Sequence, residues 1–119
     1  MNITEIQNKL ADFAQKRNWD QYHSPKNLVM ALATEAAELL EIFQWLTEEQ
    51  SKNIIKSKKD IELVKEEIAD VFIYFVRLAD KLNIDIEKEV LKKIALNEKK
   101  YPIELSKNNA TKYNRRCTK

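Results

Sequence analysis

The sequence contains no glycine and only two prolines in its 119 residues. Sheets of several strands need such residues in their tight turns, so their scarcity disfavours a β fold. Alanine, leucine, isoleucine, glutamate and lysine are abundant instead, and such a composition favours helices. A chain of this length is large enough for one core and too short for a second. We therefore predict one all-α domain.

Cysteine and long apolar runs are scarce as well. The single cysteine, Cys117, cannot form an internal disulfide, which agrees with a reducing, cytoplasmic location. No basic region followed by an apolar run marks a signal peptide, and the apolar stretches are too short and too interrupted by acids to span a membrane. The net charge of +2 is too small to indicate a general affinity for nucleic acid.

The spacing of apolar residues predicts four main helices that form a four-helix-bundle-like domain over residues 1–105. Ser24 followed by Pro25 is a typical helix start, Asp60 can cap the third helix, and Pro102 stops the fourth. The predicted helices span residues 2–18, 25–46, 60–82 and 86–100.

The other segments are predicted to be short or irregular. Thr47 and Gln50 are spaced as in a capping box, which indicates a short helix after the second main helix. Residues 51–59 are polar and form a short helix or a connecting loop. Residues 106–119 are basic and poor in apolar side chains, so we expect a mobile tail for which we assign no role.

Two acidic pairs interrupt the apolar helices and draw attention to function. Glu35 and Glu38 follow an apolar stretch at residues 28–33, and Glu67 and Asp70 precede another at residues 71–76. Residues three apart share a helix face, so both carboxylates of each pair point the same way. Helices that are apolar nearly all round are expected to be buried, and buried carboxylates repel one another unless something compensates. A divalent cation is the natural compensation.

The residue types narrow the choice of cation. Oxygen-only ligands select hard ions such as Mg²⁺ or Mn²⁺. A di-iron bundle normally needs a Glu-x-x-His pair on each of two helices, and the lone His23 lies outside both pairs. Because Mg²⁺ keeps positions open for water and phosphate oxygens, the pairs indicate a polyphosphate substrate.

Two further groups of residues suit a nucleotide. Lys93, Asn97 and either Lys100 or Tyr101 share a face of the fourth helix and could hold phosphate oxygens. Flat side chains and a histidine suited to a nucleobase occur at Trp19, Tyr22, His23 and Trp45.

These residues together resemble a known family, the all-α nucleoside triphosphate pyrophosphohydrolases of the MazG-like superfamily, and most closely its dCTP pyrophosphatase branch. The resemblance covers roughly residues 5–102. It is carried by the run at residues 19–28, the pair Glu35 and Glu38, the run at residues 43–45, the pair Glu67 and Asp70, and the residues Lys93, Asn97, Lys100, Tyr101 and Pro102.

The resemblance implies hydrolysis of a nucleoside triphosphate to the monophosphate and pyrophosphate, with dCTP or a modified pyrimidine deoxynucleotide as the expected substrate. Family members assemble as dimers or dimers of dimers. The carboxylates implied to bind Mg²⁺ and to activate water are Glu35, Glu38, Glu67 and Asp70. The residues implied to bind substrate are Trp19, His23 and Trp45 for the base, and Lys93, Asn97, Lys100 and Tyr101 for phosphate or sugar.

Other interpretations of the same residues stay open at this point. The acidic pairs could be solvated helix faces without a metal, His23 a structural histidine, and the tryptophans core or interface anchors. The main functional alternative is a non-catalytic helical oligomer that binds nucleotide as a regulatory partner. A further one is weak nucleic-acid binding through the basic tail.

Overall fold

A computed structural model describes residues 1–116 and contains helices but no strand within that range. The prediction of an all-α fold is therefore confirmed. Its α-helices are α1 (Ile3–Lys16), α2 (Pro25–Phe43), α3 (Glu48–Lys52), α4 (Lys58–Lys81), α5 (Ile86–Lys100) and α6 (Ile103–Ser106). Single turns of 3-10 helix lie at Asp20–Tyr22, Ile54–Lys56 and Tyr113–Arg115. Cys117 lies outside the described residues.

The helix starts follow from side-chain caps. The Ser24 hydroxyl accepts a hydrogen bond from the backbone N–H of Asn27, and the predicted capping box at Thr47 is present. The prediction that Asp60 caps the third helix is wrong. The hydroxyl of Ser57 accepts the backbone N–H of Asp60, so α4 begins at Lys58 and the Asp60 carboxylate lies in its positively polarised first turn.

Two helix ends use asparagine where many proteins use glycine. Asn18 after α1 and Asn83 after α4 both have φ of 54°, in the left-handed region. At each end the next residue donates its backbone N–H back into the helix, from Trp19 to Ala14 at 2.9 Å and from Ile84 to Ala79 at 2.8 Å. These are Schellman ends, and asparagine is the best substitute in a chain that has no glycine.

The chain divides into two compact units, residues 1–84 and the residues from 85 onward, and each is described by itself. In the first unit α4 packs against both α2 and α1. The core of this unit is small and contains Ala14, Leu28, Val64, Val76 and Ala79.

The apolar stretches beside the acidic pairs are less buried than the sequence predicted. Leu28 and Val76 are fully buried, but Val29 is 49% and Met30 58% exposed. The expectation that these apolar stretches are buried on all sides is therefore wrong for the single chain. The reason is that α2 packs mainly against α4, which covers only one side of α2.

The second unit contains α5 and the predicted tail. Asp85 caps α5 by accepting the backbone N–H of Lys88, and α5 ends at Lys100, as predicted. The backbone N–H of Tyr113 donates to the Tyr101 hydroxyl at 3.3 Å, and the two rings meet edge to face. The tail's mobility stays a prediction. Within residues 1–116, no helix is long and apolar enough to cross a bilayer.

The left-handed position at Asn83 gives a stability prediction. Asn83→Val places a β-branched side chain in a conformation that costs roughly 1–2 kcal/mol, whereas Asn83→Gly removes that cost. Urea denaturation should show a free energy of unfolding lowered by about that amount for valine and nearly unchanged for glycine. Equal destabilisation by both would contradict the helix-end assignment.

Candidate functional site

Three carboxylates from two helices meet between α2 and α4. Glu35 and Glu38 of α2 and Glu67 of α4 each offer one oxygen, and these oxygens lie within 4.8 Å of one another. Glu35 and Glu67 are half-buried and Glu38 is exposed. We call these three residues the acidic cluster. An open pocket of about 310 Å³ lies beside it, lined by Glu38, Glu41, Ile42, Leu63 and Glu67.

The acidic cluster carries charge that the chain does not neutralise. The Oε2 atoms of Glu35 and Glu67 are buried and have no hydrogen-bond partner. Among residues 1–116, no lysine, arginine or histidine forms an ion pair with the cluster. Burial first, and then the close approach of the Glu38 and Glu67 carboxylates, raises the pKa of Glu35 to about 7. Burial also raises the pKa of Glu67.

A hard divalent cation fits this set of atoms. The donors are carboxylate oxygens only, which suits Mg²⁺ or Mn²⁺. Two buried oxygens without a donor are unfavourable by themselves, and a cation would give them a partner. A candidate divalent-metal site thus lies where the two acidic helices meet.

Asp70, the fourth predicted carboxylate, lies three residues after Glu67 on α4 and is half-buried. It is not one of the three residues whose oxygens converge. Its negative charge nevertheless raises the pKa values of Glu35 and Glu67, so it lies close enough to act on both electrostatically.

Two of the predicted base-contacting residues line a second, mainly apolar pocket of about 310 Å³. We call it the aromatic pocket. Trp19 is 45% exposed and packs edge to face on Phe13, with ring centroids 5.7 Å apart. The lining side chains are Leu10, Phe13, Trp19, His23, Ile73, Tyr74 and Arg77. The structure therefore brings Trp19 and His23 together as the sequence predicted.

The sequence reasoning missed Arg77, which is only 5% exposed. Its Nε donates a hydrogen bond to His23 Nδ1 at 3.2 Å, and its Nη2 bonds Asp20 Oδ1 at 2.7 Å. Lys81 also donates to Asp20. This bond to Lys81, together with the bond to Arg77, lowers the pKa of Asp20. Arg77 is the single charged residue in the apolar stretch 71–79, and that isolation was a signal.

The remaining predicted residues lie elsewhere. Trp45 follows α2, is 87% exposed, and is absent from the lining of the aromatic pocket. In the second unit, Lys93 and Asn97 are on the exposed surface of α5. Lys100 Nζ lies 4.7 Å from the Tyr113 ring centroid, and Tyr101 receives the Tyr113 hydrogen bond described above. The binding roles of these residues stay predictions.

The sequence is similar to those of known proteins. The MazG-like family model matches residues 30–115, which extends past residue 102, where the sequence resemblance ended. dCTP pyrophosphatase 1 of Bos taurus is 38% identical over 111 residues, 93% of this chain and 66% of that protein. The Homo sapiens protein of the same name is 37% identical over 93% of this chain and 65% of its own length. This chain thus spans about two thirds of the length of these relatives.

The fold is similar to that of a solved structure. The crystal structure of a pyrophosphatase from Archaeoglobus fulgidus superposes with a TM-score of 0.77 at 41% identity, covering 83% of this chain and 91% of that one. The family match covers well over half of the chain, and the relatives match nearly all of it. The chain belongs to the MazG-like family, as its motifs predicted.

Proposed function

We propose that this protein hydrolyses a nucleoside triphosphate to the monophosphate and pyrophosphate with the help of Mg²⁺ or Mn²⁺. The observation that carries the proposal is the acidic cluster, with buried oxygens that lack a partner. The names of similar proteins, dCTP pyrophosphatase 1 and a pyrophosphatase, support the same reaction. They also make dCTP or a related pyrimidine deoxynucleotide the first substrate to test.

Glu35, Glu38 and Glu67 would hold the metal, and Asp70 would support it from the next turn of α4. A bound divalent ion supplies positive charge for phosphate oxygens and lowers the pKa of water. One of these four carboxylates, in its ionised form, would accept the proton of the attacking water. That water forms the new phosphorus–oxygen bond of the monophosphate while the bond to the pyrophosphate leaving group breaks.

Helix α4 would set the distance between phosphates and base. Glu67 of the acidic cluster and Tyr74 and Arg77 of the aromatic pocket lie along α4 at spacings of seven and ten residues. At 1.5 Å per residue this is about 10–15 Å. That separation suits an extended nucleotide with its phosphates at the acids and its base against Trp19 and His23. Lys93, Asn97, Lys100 and Tyr101 are proposed to contact phosphate or sugar, and Trp45 the base.

We further propose that the protein acts as a homodimer or a dimer of dimers in the cytoplasm. Exposed apolar side chains of α2, namely Val29, Met30 and Leu40, support self-association, because apolar surface left in water is typical of an interface.

Removing a carboxylate tests the reaction. Glu38→Gln or Asp70→Asn should lower Mg²⁺-dependent release of pyrophosphate from dCTP by roughly 10- to 100-fold, because a ligand or its neighbouring charge is lost. Ion chromatography of the products measures this. The matched control is Glu66→Gln, an exposed acid of the same helix, which should retain activity.

Two results would contradict this proposal. Full activity of both Glu38→Gln and Asp70→Asn would refute the carboxylate assignment. Nucleotide binding without turnover, across a panel of canonical and modified triphosphates, would favour the non-catalytic regulatory alternative.

The raised pKa of Glu35 predicts a pH dependence of the metal-free protein. The folded state keeps a proton to about pH 7, whereas the unfolded chain loses it near 4.5. Unfolding therefore releases a proton between these values, and stability should fall as pH rises through this window. Calorimetry should show that the Tm of Glu35→Gln falls less steeply than the Tm of the wild type as pH rises from 4.5 to about 7.

Mg²⁺ should raise the wild-type Tm more above pH 7 than below it, because protons compete with the metal. If the Tm of the wild type and of Glu35→Gln changed with pH in parallel, this would contradict the raised pKa of Glu35.

The exposed apolar side chains of α2 indicate where a substitution should weaken self-association. Met30→Lys places a charge on a side chain that is 58% exposed in the single chain, so the fold should survive while the oligomer weakens. Light scattering after size-exclusion chromatography should show the wild type as a dimer or tetramer and this variant shifted towards monomer. Asn8→Lys, which adds the same charge to exposed α1, is the control. A monomeric wild type at micromolar concentration would exclude the oligomer.

A further inference from the structure

Arg77 is a buried cation whose partners lie in the segment 20–23 or on its own helix. It is 5% exposed, and within residues 1–116 it is the one charged residue that is this deeply buried. Its guanidinium bonds His23 and Asp20, and its Nη1 lies 3.6 Å from Asp80 Oδ2. Burying a guanidinium is unfavourable unless its hydrogen bonds are satisfied, so these partners are required by its position.

The bond from Arg77 fixes the chemical form of His23. The guanidinium has only N–H donors, so His23 Nδ1 must accept with its lone pair. The ring proton of the neutral imidazole is then on Nε2. A proton on Nδ1 would break this bond and place two N–H groups against each other. Burial, together with the charges of Arg77 and Lys81, also lowers the pKa of His23, which agrees with a neutral ring.

Arg77 also fixes the backbone that carries Trp19. Its two partners Asp20 and His23 stand at the start and just past the end of the 3-10 turn Asp20–Tyr22. Trp19 immediately precedes that turn, and both Trp19 and His23 line the aromatic pocket. The turn has no side-chain cap of its own. Its attachment to α4 runs through the buried Arg77, which bonds residues at both ends of the turn, and through Lys81, which bonds Asp20.

We propose that Arg77 is a positioning residue for base recognition: it holds His23 as a neutral Nε2–H donor and keeps Trp19 in place. This inference rests on the proposed nucleotide function of the aromatic pocket. It assigns part of the affinity for the base to Arg77, which lies ten residues after Glu67 on α4. The ligand class it favours is a base that presents a hydrogen-bond acceptor, such as a ring carbonyl or ring nitrogen, on its edge.

The lone histidine makes the first test direct, because its ring signals need no assignment. Two-bond proton–nitrogen correlation spectra of the full chain at neutral pH distinguish a protonated from an unprotonated ring nitrogen. The wild type should show one tautomer, with the proton on Nε2. Arg77→Met keeps a long apolar side chain but has no donor, and should show both tautomers in exchange.

Two variants separate the bond to His23 from charge and from folding. Lys81→Met removes the other cation that bonds Asp20 and leaves the bond between Arg77 and His23, so its spectrum should match the wild type. Arg77→Lys keeps a cation beside Asp20 but lacks the planar fork that reaches both partners at once. It should behave as Arg77→Met does, and it serves as the main variant if Arg77→Met does not fold.

Steady-state kinetics with dCTP and Mg²⁺ give the second test. The loss of one charge-assisted hydrogen bond and of a fixed aromatic wall should raise KM about tenfold in Arg77→Met, with kcat changed less than about twofold. A general loss of folded protein would lower the active fraction, and so the apparent kcat, without raising KM. Lys81→Met should keep the wild-type KM.

The outcomes distinguish this inference from the proposed function. Absence of turnover in the wild type overturns the proposed reaction, and the spectra still decide whether Arg77 sets the tautomer. An unchanged His23 spectrum in both Arg77 variants overturns the inference even if the wild type is active. A KM equal to that of the wild type in an active Arg77 variant overturns it as well.

Discussion

Mutual repulsion among Glu35, Glu38 and Glu67 is the constraint on which the rest of this structure depends. Packing α2 against α4 stabilises the fold by burying apolar side chains, but the same packing brings the three carboxylates together and removes part of their hydration. Within the described residues no lysine, arginine or histidine forms an ion pair with these carboxylates. The raised pKa values of Glu35 and Glu67 favour protonation, which removes only part of the repulsion. The chain by itself thus retains an electrostatic cost that a divalent cation would relieve, and the proposed metal-dependent function rests on this cost.

Helix α4 shows the contrast between a charge that the chain satisfies and charges that it leaves for a ligand. Arg77 is more buried than any of the acids, yet it has His23, Asp20 and Asp80 as partners. Such a satisfied charge serves structure, here by holding one wall of the aromatic pocket. Glu67 of the same helix, like Glu35 of α2, has a buried oxygen without a partner, which is typical of a binding site. Because Arg77 and Glu67 lie on one uninterrupted helix, their separation is fixed, as a ligand with an ionic end and an aromatic end requires.

Local features were predictable from the sequence, and long-range ones were not. The bounds of α1, α2 and α5 were predicted to within three residues, since a helix end such as the one capped by Ser24 depends on a few neighbouring residues. The start of α4 was assigned to Asp60 because Ser57 and Asp60 can both cap, and sequence alone does not show which side chain accepts. That Glu35 and Glu38 share a helix face was predictable from their three-residue spacing, whereas Asp70, at the same spacing from Glu67, is not one of the three residues whose oxygens converge. The bond between Arg77 and His23 spans 54 residues and depends on how α4 packs, which no local pattern reveals.

The most direct test of the central claim is the position of the metal itself. A crystal of the full chain grown with Mn²⁺ and a non-hydrolysable dCTP analogue would locate the ion by its anomalous scattering. The account predicts a peak coordinated by oxygens of Glu35, Glu38 and Glu67 and by the phosphates of the analogue, with the base in the aromatic pocket beside Trp19 and His23. A nucleotide bound with no manganese at these carboxylates, or manganese bound only at other residues, would contradict it.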